Sequence, residues 1–277
     1  MGDPVTVEKF AIGQSVRRIE DARLLRGLGR YSEDVDLPRQ AYAVLVRSPH
    51  AHARIAGIDA RAALSSPGVL AVLTGADLAA DGVGNLPTDR TRKRRDGAPA
   101  FATPRPLLAR ERVRHVGDPV VLVVADTREH AVDAAERVAV EYTRLPAVAA
   151  TADARTPGAP AVWDAAPDNV AFVWSAGSSE TVTRAFESAP HVARLDFVVS
   201  RVAVAPMEPR AAVGEFDRRT ERYTLHTGIQ GPHGTRTLLA ATLGVEQNRV
   251  RVVSVDVGGS FGMRSGLYPE MALVLWA

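Results

Sequence analysis

The strongest constraint on the fold lies near the C-terminal end, where a strand, a glycine-rich loop and a helix follow one another. Residues 250–257 are β-branched at five positions and predict a largely buried strand. Residues 269–276 predict an apolar helix with Pro269 in its first turn. Between them, Gly258, Gly259 and Gly262 free the backbone to turn its N–H groups towards a ligand. Taken alone, the loop is more simply a tight turn, and its alternative is a site for an oxyanion, a phosphate or a metal–oxo group.

A second unit, over residues 120–145, combines an unbroken apolar strand, a helix and another strand. Asp126 and Glu129 resemble a capping box at the start of that helix. A strand–helix–strand unit of this length predicts parallel pairing of its two strands through a right-handed crossover. We therefore expect residues 1–150 to form one α/β domain, preceded within that range by an irregular lead-in over 1–40.

The stretch 151–170 is rich in proline and alanine and predicts a linker. Beyond it, residues 171–277 predict a second domain. Its expected helices are 179–189 and the segment from Pro232 to Leu243, which Gly244 ends. Its expected strands, besides 250–257, are 192–204, 211–216 and 222–227.

Composition excludes several classes of site. The chain has no cysteine, so disulfides, thiolate metal sites and a cysteine nucleophile are excluded within it. Net charge is only +2, and the basic run 90–95 has no aromatic residues between its charges, which favours a solvated loop over a nucleic-acid surface. No apolar run approaches the roughly 18 residues of a membrane helix, and no export signal is evident. The expected location is cytoplasmic, with no membrane partner.

Three local patterns have simple structural alternatives. His50 and His52 could share one face of a strand, but two histidines without a third ligand more simply form a polar pair at a strand end. Glu208 could be a general acid or base, although the surrounding 206–210 segment more simply predicts a rigid loop whose Glu and Arg satisfy the backbone and each other. The glycine loop lacks the spacing of a dinucleotide-binding motif, because Val257 stands where its first glycine is needed.

Several separated motifs together resemble the molybdenum-binding large subunit of the xanthine dehydrogenase family, which includes aldehyde oxidases and aerobic carbon monoxide dehydrogenases. The resemblance runs from about Ile12 to the last residue and keeps the order of the motifs. The motifs are 47–53 (RSPHAHA), 116–120 (VGDPV), 227–233 (TGIQGPH), 244–245 (GV), 256–262 (DVGGSFG) and 268–270 (YPE). The first two resemble the a/b hammerhead domain of that family.

The resemblance implies an α+β or α/β architecture: an a/b hammerhead-like domain followed by the incomplete first part of a molybdopterin-binding α+β domain. It implies a hydroxylase that oxidises an aldehyde, an N-heterocycle or a similar small molecule, with water as the oxygen source. The implied cofactor is a molybdenum–pterin, expected as molybdopterin cytosine dinucleotide, and electrons leave through 2Fe–2S and FAD partner subunits. The implied cofactor-binding residues are Gln230, Gly259, Ser260, Phe261 and Gly262.

The sequence departs from the family pattern in two respects. Ser260 and Met263 stand where many members have glycine, and Ser265 stands where purine-oxidising members carry a substrate-binding glutamate. The chain is also far shorter than family large subunits, whose catalytic base lies near a C-terminus that has no counterpart here. We therefore assign no catalytic residue and no metal ligand within it.

The abrupt apolar ending of the 269–276 helix suggests truncation, which leaves two functional hypotheses. The chain is either the N-terminal part of a molybdenum hydroxylase large subunit, inactive until a C-terminal remainder joins it, or a non-catalytic scaffold that kept the fold. In both cases we expect the helix to expose Met271, Leu273, Val274, Leu275 and Trp276.

Overall fold

The structure is a computed structural model that describes residues 15–88, 92–200, 202–254 and 256–277. Arg90 and Thr91 of the basic run, Ile12 of the lead-in and Val255 of the last predicted strand lie outside these ranges. In the N-terminal half, the elements in chain order are α1 (Asp21–Leu24), a 3-10 turn (Ser32–Asp34), β1 (Tyr42–Arg47), β2 (Ala53–Asp59), α2 (Arg61–Leu64), β3 (Val69–Thr74), α3 (Gly75–Ala80), β4 (Arg112–Val113), β5 (Pro119–Ala125), α4 (Arg128–Ala135) and β6 (Ala139–Arg144).

Two small antiparallel sheets form this half, and the predicted parallel crossover is wrong. The buried strand β5 lies between β1 and β3 and is antiparallel to both. After α4 the chain does not return to that sheet, because β6 pairs antiparallel with β2 in a second sheet. The apolar run forms the predicted strand, which is buried along nearly all of its length. Its pairing partners come from distant segments that periodicity does not report.

Helix α4 begins one residue later than the predicted capping box implied. Its N-cap is Thr127, whose Oγ1 accepts a hydrogen bond from the His130 backbone N–H at 3.1 Å. Asp126 instead places its carboxylate 2.6 Å from the Nδ1 of His130. The Thr127 hydroxyl therefore caps the helix, and Asp126 pairs with His130 in the first turn.

The second half is built on one mixed sheet. After a 3-10 turn (Asp153–Arg155), its elements are α5 (Ser179–Ser188), β7 (Val213–Asp217), β8 (Arg222–His226), α6 (Pro232–Leu243), a 3-10 turn (Gln247–Arg249), β9 (Val250–Val253), a 3-10 turn (Met263–Ser265) and α7 (Pro269–Trp276). Strand β8 is central, antiparallel to β7 and parallel to β9. Helix α6 has the predicted bounds, because Pro232 opens it and Gly244 ends it in the left-handed region at φ 69°.

Helix α7 is packed rather than exposed, so the expectation of a bare apolar helix face is wrong. Met271, Ala272 and Leu273 are at most 1% exposed. They lie in a core that joins the two halves, in which Leu78 and Leu122 pack with Leu225 and Leu239. A smaller core around Val113 and Val121 lies entirely within the N-terminal half. The domain boundaries at 150 and 170 stay predictions.

The exposed apolar surface lies elsewhere, near the start of the second half of the chain. The described residues of 192–204 form no strand, so the strand predicted there is wrong for this chain, and Arg201 lies outside the description. Leu195, Phe197 and Val199 are 81%, 73% and 79% exposed. The preceding helix α5 also has no buried residue. No helix in the described ranges is long and apolar enough to cross a membrane.

Candidate functional site

Two loops meet at one end of the mixed sheet β7-β8-β9, where the parallel strands β8 and β9 both end. The carboxyl ends of neighbouring parallel strands are where open sheets usually place their ligands. The loop after β8 carries Gln230, whose backbone N–H donates to the carbonyl of Arg264 in the loop after β9 at 3.0 Å. Nearby, the Ser254 hydroxyl bonds to both the N–H and the carbonyl of Ile229, at 3.3 and 3.2 Å. The structure therefore brings together the two segments that the sequence singled out.

The glycine loop has an unusual backbone. Gly259 and Gly262 have φ of 108° and 88°, a region that glycine enters without strain. Phe261 has φ 51°, which is costly for an aromatic residue, and its side chain is 81% exposed. A backbone that alternates between right- and left-handed conformations points successive N–H groups in one general direction and forms a concave anion-binding site.

Four consecutive amides of this loop have no hydrogen-bond acceptor within the described part of the chain. The helical bonds resume only at Met263, whose N–H donates to the Ser260 carbonyl at 2.9 Å. The unpaired donors are the backbone N–H groups of Gly259, Ser260, Phe261 and Gly262. None of the four residues is buried, so water can satisfy these amides, and the same run of free donors is available to a ligand or to further polypeptide.

Gln230 lies at the same end of the sheet with its side chain exposed and without a hydrogen-bond partner among the described residues. Only its backbone is held, by the bond to Arg264. A carboxamide carries both donors and acceptors, so Gln230 can bond to an oxygen-bearing group outside this chain. The structure thus leaves all five candidate residues with free polar groups.

Beneath the loop lies a buried ion pair that sequence reasoning missed. The guanidinium of Arg264 is fully buried and lies 3.0 Å from the carboxylate of Glu208, which is 10% exposed. Glu208 does satisfy backbone groups, as expected, but it does not pair with Arg210. Arg210 binds Glu270 at 2.8 Å instead. The available signal was the charge of Arg264 within a glycine-rich loop, although its partner is 56 positions away in the chain.

The lead-in also contributes to the site. The Asp256 carboxylate accepts two hydrogen bonds from the Arg23 guanidinium, at 2.5 and 2.6 Å, and one from the Arg30 backbone N–H at 2.8 Å. These bonds, with Arg23 the largest cause, lower the pKa of Asp256 from its usual 3.8 to about 2. The Ser32 hydroxyl accepts a bond from the Gly228 N–H at 2.8 Å. Residues 23–32 therefore hold both loops from one side.

A cavity of about 580 Å³ lies beside the glycine loop and is bordered by Met263 and by residues of β1. Its charged wall residues already have partners. Arg210 and Glu270 bind each other, and Arg47 donates to the Gly117 carbonyl at 3.0 Å. No free charge on these walls indicates a particular ligand. His50 and His52 lie away from this end of the sheet, and His52 bonds through Nδ1 to the Pro146 carbonyl at 3.0 Å.

Two family models match most of the chain. Residues 26–146 match the model of the aldehyde oxidase and xanthine dehydrogenase a/b hammerhead domain, and residues 162–277 match that of the molybdopterin cofactor-binding domain. The chain belongs to the aldehyde oxidase and xanthine dehydrogenase family. Both candidate loops fall within the cofactor-binding match, and the predicted fold, a hammerhead domain followed by part of a molybdopterin-binding domain, is confirmed.

Several known proteins are similar to this chain over most of its length. The large subunit of nicotine 6-hydroxylase from Paenarthrobacter nicotinovorans is 39% identical over 98% of the chain, and the carbon monoxide dehydrogenase large chain of Hydrogenophaga pseudoflava is 34% identical over 90%. Quinoline 2-oxidoreductase from Pseudomonas putida 86 superposes with a TM-score of 0.85 at 36% identity over 95% of the chain. In these three, the chain spans 32%, 31% and 33% of the relative's own length.

Proposed function

We propose that this chain is the N-terminal part of a molybdenum hydroxylase large subunit and that its two loops hold the oxo-bearing end of a molybdenum–pterin cofactor. The observation that carries the proposal is the run of four unpaired amides at Gly259, Ser260, Phe261 and Gly262. Such a cradle suits a group that presents oxygen atoms with negative charge, which is the chemistry of a metal–oxo end. The chain's own residues therefore fit the cofactor named by its family.

The contribution of these residues is preorganised hydrogen-bond donation. The loop amides and the Gln230 carboxamide would hold the oxygen-bearing end of the bound group by hydrogen-bond donation, as donors of an oxyanion hole do. When bound, the cofactor supplies the redox chemistry that hydroxylates an aldehyde, an N-heterocycle or a similar small molecule with oxygen from water. We assign no proton-transferring base within the chain. The role proposed for these residues is to orient the bound cofactor and to stabilise its charge.

The remaining components are proposed from the relatives. The cofactor is expected as molybdopterin cytosine dinucleotide, in a cytoplasmic assembly with a 2Fe–2S small subunit, an FAD medium subunit and the C-terminal remainder of the large subunit. Support comes from similar proteins whose names are those of subunits, including subunit gamma of the 6-hydroxypseudooxynicotine dehydrogenase complex, at 36% identity. A C-terminal remainder is included in the proposal because the chain spans only 32% of the length of the nicotine 6-hydroxylase large subunit.

The test compares the chain alone with the chain co-expressed with a polypeptide that supplies the other two thirds of the relatives' length. Both are purified from a host that makes the cofactor, and molybdenum content and dye reduction with aldehydes and N-heterocycles are measured. We expect molybdenum and turnover only in the co-expressed form, because one donor loop and one glutamine do not offset the desolvation of a large anionic pterin. Molybdenum-free, inactive protein in both forms would favour the scaffold hypothesis instead.

A further inference from the structure

The guanidinium of Arg264 donates hydrogen bonds to three separate loops. Its Nε bonds to the Gly259 carbonyl at 3.0 Å, within the glycine loop. Its Nη1 bonds to the Gly228 carbonyl at 3.2 Å, two residues before Gln230. Its Nη2 bonds to the carbonyls of Glu208 and Pro209, at 2.6 and 3.2 Å. A planar guanidinium holds its donors in fixed directions, so it fixes the relative positions of these four carbonyls and of the three loops that carry them.

Glu208 completes the arrangement from the other side. Its Oε2 accepts a hydrogen bond from the Gly258 N–H at 2.7 Å, and its Oε1 accepts one from the Ser32 N–H at 3.2 Å. The Gly258 N–H is therefore already bonded to the carboxylate, and the unpaired backbone N–H groups begin at Gly259. The contact is so close that a Cβ on Gly258 would lie 2.5 Å from the Cβ of Glu208, which explains the glycine there.

A buried ion pair needs a reason other than stability. Removing two charges from water costs several kcal/mol per ion, and apolar residues of similar volume often stabilise a fold as well. An apolar pair makes no directional hydrogen bonds. The Glu208–Arg264 pair does, because it bonds to backbone groups of every loop at the candidate site. Preorganised donors need such support, because they act only if they are already in place when charge develops.

We propose that Glu208 and Arg264 are positioning residues that set the placement of the glycine-loop amides relative to Gln230, without touching the ligand themselves. This inference rests on the proposed function for its ligand, whereas its structural half can be tested on the chain alone. The first variant is Glu208→Gln, which keeps the side-chain shape and removes the negative charge. The second is Arg264→Lys, which keeps the positive charge and removes the planar set of guanidinium donors.

A matched control is Glu270→Gln. It breaks the Arg210–Glu270 pair, which joins the same 206–210 loop to α7 but bonds to no amide of the candidate site. Hydrogen–deuterium exchange is followed on dilute chain in peptides covering 228–231 and 256–264. We expect exchange of the Gly258 and Gln230 amides to accelerate by at least about tenfold in both test variants. The Gly258 amide loses or misaligns its bond to the Glu208 carboxylate, and the Gln230 amide loses alignment with the backbone carbonyl of Arg264. Peptides from β5 should not change, and the control should leave both loops unchanged.

In the subunit assembled with its remainder, the two variants should lower turnover by about tenfold to a hundredfold while the substrate KM changes little, as a small misplacement of donors would. Unchanged exchange in both loops, or an equal acceleration throughout the chain, would overturn the positioning role. Accelerated loop exchange with full molybdenum content and unchanged turnover would keep the positioning role and would overturn the proposed function of the loops.

Discussion

At the scale of single residues, Phe261 shows how much the loop conformation depends on its surroundings. A left-handed backbone costs a non-glycine residue about 1–2 kcal/mol, and the side chain recovers little by packing because it is 81% exposed. The conformation is held from below, where Gly259 binds Arg264 through its carbonyl and Gly258 binds Glu208 through its N–H. Strain of this kind is typical of sites that bind a ligand.

Gln230 gives the most direct residue-scale prediction. In the assembled enzyme, Gln230→Ala should lower turnover by roughly 10²-fold or more, by analogy with the loss of one oxyanion-hole donor. Stability should not change, because the side chain is exposed and without a partner among the described residues. Steady-state kinetics and molybdenum analysis check this, with Gln247→Ala, at an exposed residue beyond the C-terminal end of α6, as control. Wild-type turnover at full molybdenum content would show that Gln230 is wrongly assigned.

Asp256 predicts a pH dependence. Its pKa in the folded protein is lowered from 3.8 to about 2, chiefly by the bonds from Arg23, so its contribution to stability is complete above pH 3.8 and is lost as the pH falls towards 2. Asp256→Asn should therefore lower the urea midpoint at pH 7, and the deficit should shrink below pH 4. Proteolysis within 20–31 should also become faster.

Asp59→Asn is the control for that measurement. Asp59 has a similarly lowered pKa of about 2, caused chiefly by its side-chain bond to Arg61, but this pair is local and on the surface. The control should leave proteolysis of the lead-in unchanged. A deficit in Asp256→Asn that stays constant from pH 7 to pH 2 would contradict the role of the ionised carboxylate.

At the scale of elements, the site depends on the packing of α7 on β7. Gly214 makes this approach possible, because a Cβ there would lie 2.3 Å from the Val274 backbone carbonyl oxygen. Gly214→Ala should displace the helix and destabilise the chain by about 1–3 kcal/mol. Chemical denaturation measures the change.

The matched control for that substitution is Gly234→Ala within α6, where an added Cβ meets no atom within 4 Å. Alanine there should be neutral or stabilise the helix by up to about 1 kcal/mol. If Gly214→Ala proved as well tolerated as the control, the close approach of α7 to β7 would be wrong.

At the scale of the whole molecule, the unsatisfied surface is the 192–204 segment together with α5. Leu195, Phe197 and Val199 alternate along the sequence, a spacing that in an extended chain places side chains on one side. None of the described residues between 192 and 204 makes a backbone hydrogen bond, and the three side chains are largely exposed. Phe186 of α5 is 60% exposed as well. An exposed apolar segment with unpaired backbone groups is a template for pairing with further polypeptide.

We therefore predict that the isolated chain self-associates through this surface and that a C-terminal remainder covers it. Replacing Leu195, Phe197 and Val199 with serine should reduce the self-association, which light scattering coupled to size exclusion measures. Leu25→Ser, at an 86% exposed residue just after α1, serves as control and should have little effect. Equal self-association of the triple variant and the parent chain would show that a different surface mediates the association.

Much of the local structure followed from the sequence because neighbouring residues determine it. Pro232 and Gly244 fixed both ends of α6 through their own backbone preferences. The glycines of the loop indicated a turn after β9 that exposes backbone N–H groups. The ordered motifs predicted the family, which the comparisons confirmed.

Only the tertiary structure decided which distant segments meet. The apolar run of β5 is compatible with parallel or antiparallel neighbours, and the choice of β1 and β3 depends on chain connections that no local pattern reports. The burial of α7 likewise depends on a core shared between both halves. The pairing of Glu208 with Arg264 rather than with nearby Arg210 has the same cause. Burial selects the partner whose geometry satisfies the most polar groups, and that geometry exists only in the folded chain.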